Sequence, residues 1–322
     1  MFESLIRYYN HNRKRIITII IVVIAVILLI QLLNQMAKKQ LAERNKSNST
    51  NTTQTNINSQ NTLQTQTIIS NTKINTETAQ NNQETIKKFI EYCNNGEINL
   101  AYNMLSKKCQ EELFNDVNSF KEKYYDKIFY IKRQYSIENW ITSEIGQTYK
   151  TIYSNDALAS GGITDSIEDY ITITTQNNEN KLSILRYIGN ITINKSASND
   201  IASIQVIDRK IYEDYEIYNI KVTNKTDKTI MLNRDYDNQG IYVNYQESDN
   251  KYLAYIDEIY SGDLQIKAGQ TKYVSIKFNK IYNGAINTSK IIFSDIITDA
   301  EEYQSTANKN NYTNITSIEI NL

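Results

Sequence analysis

The sequence contains no proline, a single histidine, two cysteines, one tryptophan and nine glycines in 322 residues. Each scarcity excludes something. Without proline there are no proline-rich ligand segments and no collagen-like repeats. Two cysteines cannot supply a disulfide framework or a four-thiolate zinc site. The lone histidine is His11, in a basic stretch at the N-terminus, so no later residue can use imidazole chemistry. No GxGxxG, Walker A, GxSxG or HExxH pattern occurs, and neither a catalytic residue, a cofactor nor a metal is assigned.

What is present divides sharply. Hydrophobic residues make up 40% and charged ones 22%, yet the mean hydropathy of −0.53 averages one very apolar run with a polar remainder. Residues 16–33 read IITIIIVVIAVILLIQLL, without a charge. A hydrocarbon core of about 30 Å takes about 20 helical residues, so this run predicts a transmembrane helix. A cleaved signal peptide would end in small residues, whereas Asn34-Gln35-Met36 follows. Arg13, Lys14 and Arg15 abut the run and act as the topology signal, placing the N-terminus in the cytoplasm and the bulk of the chain outside. From Asn45 to Asn82 the chain is almost entirely Asn, Thr, Gln and Ser with scattered isoleucines, a composition that forms no core and reads as a tether.

At Gln83 the pattern changes. Ile86, Phe89, Ile90 and Cys93 fall at helical spacing up to Asn94-Asn95-Gly96. Ile98, Ala101, Tyr102 and Leu105 repeat the period, and Leu113, Val117, Phe120 and Tyr124 predict a third helix. From Ile128 the period drops to two, with strands expected at Phe129–Ile137, Tyr149–Tyr153, Tyr170–Thr174 and Leu182–Ile188. Beyond Asn190 the chain reads as many short strands separated by turn signals such as Asn224-Lys225-Thr226-Asp227 and Ala268-Gly269-Gln270, the pattern of a sandwich. The expected organisation is a cytoplasmic tail over 1–15, a transmembrane helix over 16–33 and a disordered linker over 34–82. An α+β domain of helices on a curved antiparallel sheet follows over 83–190, then an all-β sandwich over 191–322.

The stretch FIEYCNNGEINLAYNMLSKKCQEELFNDVNSFKEKYYDKIF resembles the helical start of a nuclear transport factor 2-like domain. The matching features are the Ala101-Tyr102-x-x-Leu105-Ser106 turn and the Phe120-Lys121-Glu122-Lys123-Tyr124 segment. Similar domains occur in envelope proteins of Gram-positive bacteria, including the non-catalytic N-terminal domain of some transpeptidases. An anchor followed by such a domain also resembles assembly factors of conjugative secretion channels. The resemblance implies a cone of helices on a curved sheet, a shape that hosts enzymes, ligand cups and docking modules alike. Further along, Tyr218-x-Ile220-x-Val222-x-Asn224 with Leu264-x-Ile266-x-Ala268-Gly269 resembles immunoglobulin-like modules of bacterial surface proteins, in architecture alone, since the region lacks Cys and Trp.

Charge narrows the partners. Residues 84–190 carry 12 basic and 15 acidic side chains, and residues 191–322 carry 14 and 18, so the foldable part is net acidic. That field has the wrong sign for nucleic acid. Cys93 and Cys109 could form a disulfide across the helical layer or pack as two buried thiols. Asp235-x-Asp237-x-Gln239-Gly240 echoes a calcium loop, but Gln246 stands where the bidentate Glu belongs, so a hairpin turn is the reading. Ser248-Asp249-Asn250 and Ser70-x-x-Lys73 match isolated penicillin-binding elements by chance. The adjacent carboxylates Glu111-Glu112, Glu168-Asp169 and Asp257-Glu258 read as solvated charges, because neighbours in sequence do not face one another. Trp140 reads as core or pocket wall.

These features lead to a membrane-anchored, extracytoplasmic and non-enzymatic docking or assembly module of the bacterial envelope. Its expected partners are the lipid bilayer and other envelope proteins or cell-wall components. The alternatives are a receptor binding a small molecule or cell-wall fragment in the α+β cup, which requires an apolar cavity, and a carboxylate-based hydrolase, which requires two converging acids.

Overall fold

A computed structural model of the chain describes residues 65–69, 72–155, 165–177, 179–234, 240–245, 251–254, 264–279, 282 and 288–322. The first helix, α1 (Thr76–Asn94), starts where the Asn75 side chain accepts the Glu77 N–H at 2.8 Å, a side-chain cap for an otherwise orphaned donor. It therefore begins inside the segment read as linker. Its buried face is Ala79, Asn82, Gln83, Ile86, Phe89, Ile90 and Cys93. Even earlier, Ile68 and Ile69 donate their N–H groups to the carbonyls of Asn139 and Trp140 and extend the edge of a strand.

Three short helices follow: α2 (Ile98–Asn103), α3 (Lys107–Leu113), capped by the Ser106 hydroxyl, and α4 (Val117–Phe120), capped by Asp116. The expected single helix through Leu113 and Tyr124 is broken because Phe114 is extended and Asp116 caps a new start. A π-helical turn, Lys121–Tyr125, and α5 (Asp126–Ile128) continue the backbone, so the strand expected from Ile128 begins only at Gln134. The physical reason is local: the Tyr125 and Phe129 rings stack at 6.2 Å and hold the helical turn closed.

Four antiparallel strands then form a meander, β1 (Gln134–Thr142), β2 (Gln147–Ser154), β3 (Ser166–Gln176) and β4 (Glu179–Ser183), in that order. Its helix-facing side chains, Ile137, Tyr149, Tyr153, Ile171, Ile173 and Leu182, close one core against α1 and the aromatic helices. The second half begins with β5 (Tyr187–Ser198), β6 (Ala202–Tyr212) and β7 (Glu216–Asn224). Together with β12 (Thr271–Phe278) they make a sheet of order β12-β7-β6-β5. Facing it are β8 (Ile230–Met231), β9 (Ile241–Tyr245), β10 (Lys251–Leu253), β11 (Gln265–Ile266), β13 (Thr288–Ile297) and β14 (Ile315–Asn321), ordered β10-β9-β13-β8-β11 with β14 beside β13. A short helix, α6 (Ala300–Ser305), precedes β14. Ile204, Val206, Ile220 and Val222 meet Val243, Ile291, Phe293 and Ile318 in the second core, so a sandwich of sheets is present.

The expected class is corrected by this architecture. The described residues are mostly β, 48% of them in strands, with few helices rather than a membrane helix followed by an α+β half. No helix among the described residues is long and apolar enough to cross a membrane. The longest, α1, has 19 residues but carries Glu77, Glu84, Lys87, Lys88 and Glu91 and is apolar on one face only. The single-pass placement, with its signal anchor and its outside C-terminal domains, is corrected by the same finding. Residues 16–33 and the signal Arg13, Lys14 and Arg15 lie outside the described residues, as does His11.

The β1–β2 turn is the tightest point of the first sheet. A Cβ on Gly146 would stand 2.0 Å from the Ile173 carbonyl oxygen, so only glycine lets the turn lie against β3. Gly146→Ala is expected to destabilise the fold by about 2 kcal/mol, the scale of overpacking a dense interior. Urea unfolding followed by circular dichroism measures this, and an unchanged midpoint would contradict the close approach.

Candidate functional site

The natural place for a site in the helical half is the space between helices and sheet. That space is filled. Phe114 packs edge-on against Phe120 at 5.4 Å, Phe120 stacks on Tyr124 at 5.6 Å, and Phe129 meets Tyr153 edge-on at 5.3 Å. Phe89 closes the group at 6.1 Å from Tyr124, and all of these rings are buried. The broken helical stretch supplies most of them, which is why a regular helix gives way there to short turns.

One carboxylate lies inside this apolar layer. Asp169 is 2% exposed, in phase along β3 with Ile171 and Ile173. Its Oδ2 accepts the Tyr124 hydroxyl at 3.0 Å, and Tyr124 lies 3.0 Å from the Tyr153 hydroxyl. Its Oδ1 accepts the backbone N–H groups of Tyr170 at 2.8 Å and Arg186 at 3.1 Å, and the Leu185 N–H also bonds the carboxylate. Burial raises the Asp169 carboxyl above its ordinary value, against the pull of these donors. Burial likewise raises the Tyr124 and Tyr153 phenols well above the usual tyrosine range. Leu185 and Arg186 both have left-handed backbone, φ 59° and 62°. Asp169 therefore holds a strained turn between β4 and β5. A single enclosed acid whose donors are committed to a turn is suited to fixing backbone.

The other sequence candidates are placed as follows. Cys93 ends the buried face of α1 and Cys109 lies in α3, and both are fully buried free thiols. Burial pushes the Cys93 thiol far up and the Cys109 thiol to about 12. Trp140 is half-buried on the face of the first sheet away from the helices, with Tyr170 edge-on at 5.4 Å and the Lys150 ammonium 5.5 Å over its ring. Glu111 is a surface charge paired with Lys107 at 3.6 Å. Glu112 is not a free solvated charge: it binds Lys210 at 2.6 Å and accepts the Tyr212 hydroxyl at 2.8 Å, tying α3 to β6. Glu168 and Asp169 point to opposite faces, Glu168 to Lys150 at 2.5 Å and Asp169 into the core. Asp235, Asp237, Gln239, Gln246, Ser248-Asp249-Asn250, Asp257-Glu258 and Ser70 lie outside the described residues. The described Lys73 is exposed and bridges to Gln66.

A second polar group, missed in the sequence, sits where the two halves meet. Arg209 of β6 is 6% exposed and donates to the Thr288 hydroxyl, while its guanidinium lies 3.7 Å from Glu144 of the β1–β2 turn. Tyr218 lies between, bonding Thr288 at 2.6 Å and Glu216 at 3.0 Å. Nearby, Arg186 pairs with Glu213 at 2.9 Å, and the Tyr212 and Tyr215 rings stack at 4.3 Å. The signal was the break in alternation between Val206 and Arg209, where the buried phase of β6 shifts by one.

No protein-family model matches the chain, and neither a curated protein nor a solved structure matches it.

Two outcomes follow from this chemistry. Thiolate, not thiol, attacks a disulfide reagent, so neither Cys93 nor Cys109 should react with Ellman's reagent in the folded chain, both reacting once urea unfolds it. Rapid reaction of the native protein would contradict their burial. For Asp169, a folded-state value raised above 3.8 means the folded chain favours the proton. Its contribution is then full below that value and declines as pH rises through the raised one. The stability of wild type relative to Asp169→Asn should therefore fall with rising pH across that interval. A pH-independent difference in paired denaturation curves would refute it.

Proposed function

We propose that this chain is a non-enzymatic docking or assembly module that works through its outer surfaces. In this reading the helical half is nuclear transport factor 2-like and the second half is immunoglobulin-like. The observation that carries the reading is the filled interior of the helical half: the cup that would hold a substrate or ligand contains Phe89, Phe114, Phe120, Tyr124 and Tyr153 instead. A second support is the stapling of the two halves by Glu112–Lys210, Arg186–Glu213 and Arg209–Glu144, which holds one surface at a fixed geometry to the other. Large apolar side chains also stand in solvent on each half, Tyr130 at 60% exposure and Tyr273 at 68%.

Site-specific photocrosslinking in cells that make the protein natively tests the reading. A crosslinker at Tyr130 or Tyr273 should give a discrete heavier adduct, and one at buried Phe120 should give none. Absence of adducts from both exposed positions, with the protein folded, would overturn it.

A further inference from the structure

The first sheet has a second face, and it carries a cavity of about 330 Å³, near the lower end of the range for small-ligand sites. Alternation along β3 fixes which face this is. Ile171 and Ile173 point to the helices, while Thr172 meets Thr148 at 2.9 Å on the opposite side, and Thr174 follows Thr172 in phase. Ser183 stands opposite Thr172 in register and lies 3.2 Å from the Ser106 hydroxyl. The start of β5 forms the opposing wall with Ile188 and Ile191, and Ile145 of the β1–β2 turn completes an apolar side. Gly189 is required there, because a Cβ would approach Ile145 Cγ2 to 2.8 Å and push that side chain from its seat.

Three features of this lining are incomplete. Asn190 Oδ1 is shielded from solvent and has no hydrogen-bond partner, and the same holds for Thr174 Oγ1. An enclosed polar atom left unmatched is costly, so both await a group that the chain does not supply. The third is charge. Lys108 donates to the neutral main-chain carbonyl of Asn190 at 2.8 Å, whereas the charge of Glu144, the acidic residue at the cavity, is offset by the Arg209 guanidinium 3.7 Å away. The charge left to attract a ligand is positive.

We infer that this cavity binds a small N-acylated aliphatic amino acid, with its carboxylate at Lys108, its N–H at Asn190 Oδ1, and its side chain against Ile188 and Ile191. The site lies on the opposite face of the sheet from the ring-filled interior, so it goes beyond the docking reading and stands or falls separately from it. The hydroxyls of Ser106 and Ser183 offer donors to the acyl oxygen.

Isothermal titration calorimetry on the full-length chain tests this with three probes: N-acetylvaline, N-acetylvalinamide, which lacks the carboxylate, and isovalerate, which lacks the N–H. N-acetylvaline is expected to bind with a millimolar or lower dissociation constant, and each of the others about tenfold more weakly. Lys108→Met should bind acid and amide alike, and Asn190→Leu should lose the preference over isovalerate, with unfolding midpoints confirming that both variants fold. Lys108 is on the surface, so its replacement leaves the core untouched. Heat from none of the probes would mean that the cavity holds water alone and would overturn the assignment. So would equal binding of acid and amide by wild type, discrimination between them that survives in Lys108→Met, or a preference over isovalerate that survives in Asn190→Leu.

Discussion

A carboxylate with both oxygens committed inside an apolar layer sets the path of the chain between its two halves. Asp169 accepts the backbone donors of Leu185 and Arg186, two consecutive residues in left-handed conformation, and the Tyr124 hydroxyl beneath them. Left-handed backbone is unfavourable for residues with a Cβ, about 1 kcal/mol or more each, so the turn needs a local compensation. The Asp169 side chain supplies it by accepting these backbone donors, which would otherwise lack a partner inside the apolar layer. The direction in which β5 leaves the turn follows from that geometry, and so does every strand paired to it.

β5 is long enough to serve both cores. Tyr187 packs with the helical half, while Ile193 and Ala197 pack against the sandwich. A strand that buries one face throughout could not do this without twisting or slipping. The register shifts between Thr192 and Lys195, where Asn194 has φ 52°, and again between Val206 and Asp208 on the next strand. Each bulge moves the buried phase by one residue, so one continuous sheet turns its apolar face first to one core and then to the other. Arg209 arrives at the boundary because of that shift, and its charge is then met by Glu144 and Tyr218 from both sides.

Much of the strand pattern was legible because alternation survives wherever one face is buried: Ile204, Val206, Tyr218, Ile220 and Val222 are spaced by two and are all inside. Asp169 is in step with Ile171 and Ile173, and that phase alone marks it as a core carboxylate rather than a surface one. From Leu113 to Phe129 the pattern predicts one helix through Tyr124 and a strand after it, and neither holds. Phe114 is extended, Asp116 caps a new start, and the aromatic rings pack on one another and stabilise short irregular helical turns that no single period describes. Thr76 and its neighbours were invisible as helix because their polar composition hides a start made by a side-chain cap.

The distribution of charge separates the two kinds of surface on this protein. Exposed pairs such as Lys107–Glu111 contribute little, since solvent screens them. The pairs at the junction differ: Glu112 with Lys210 is largely shielded, and Arg209 is nearly enclosed. Removing Glu144 leaves the enclosed Arg209 guanidinium without its carboxylate, which costs more than losing a solvent-screened surface pair. The two cores are thus bound into one cooperative body by groups that cannot separate cheaply. The cavity beside Gly189 lies on the same strand as that junction, between the Asp169-held turn and Arg209. A ligand seated there would be held by walls that both cores keep in place.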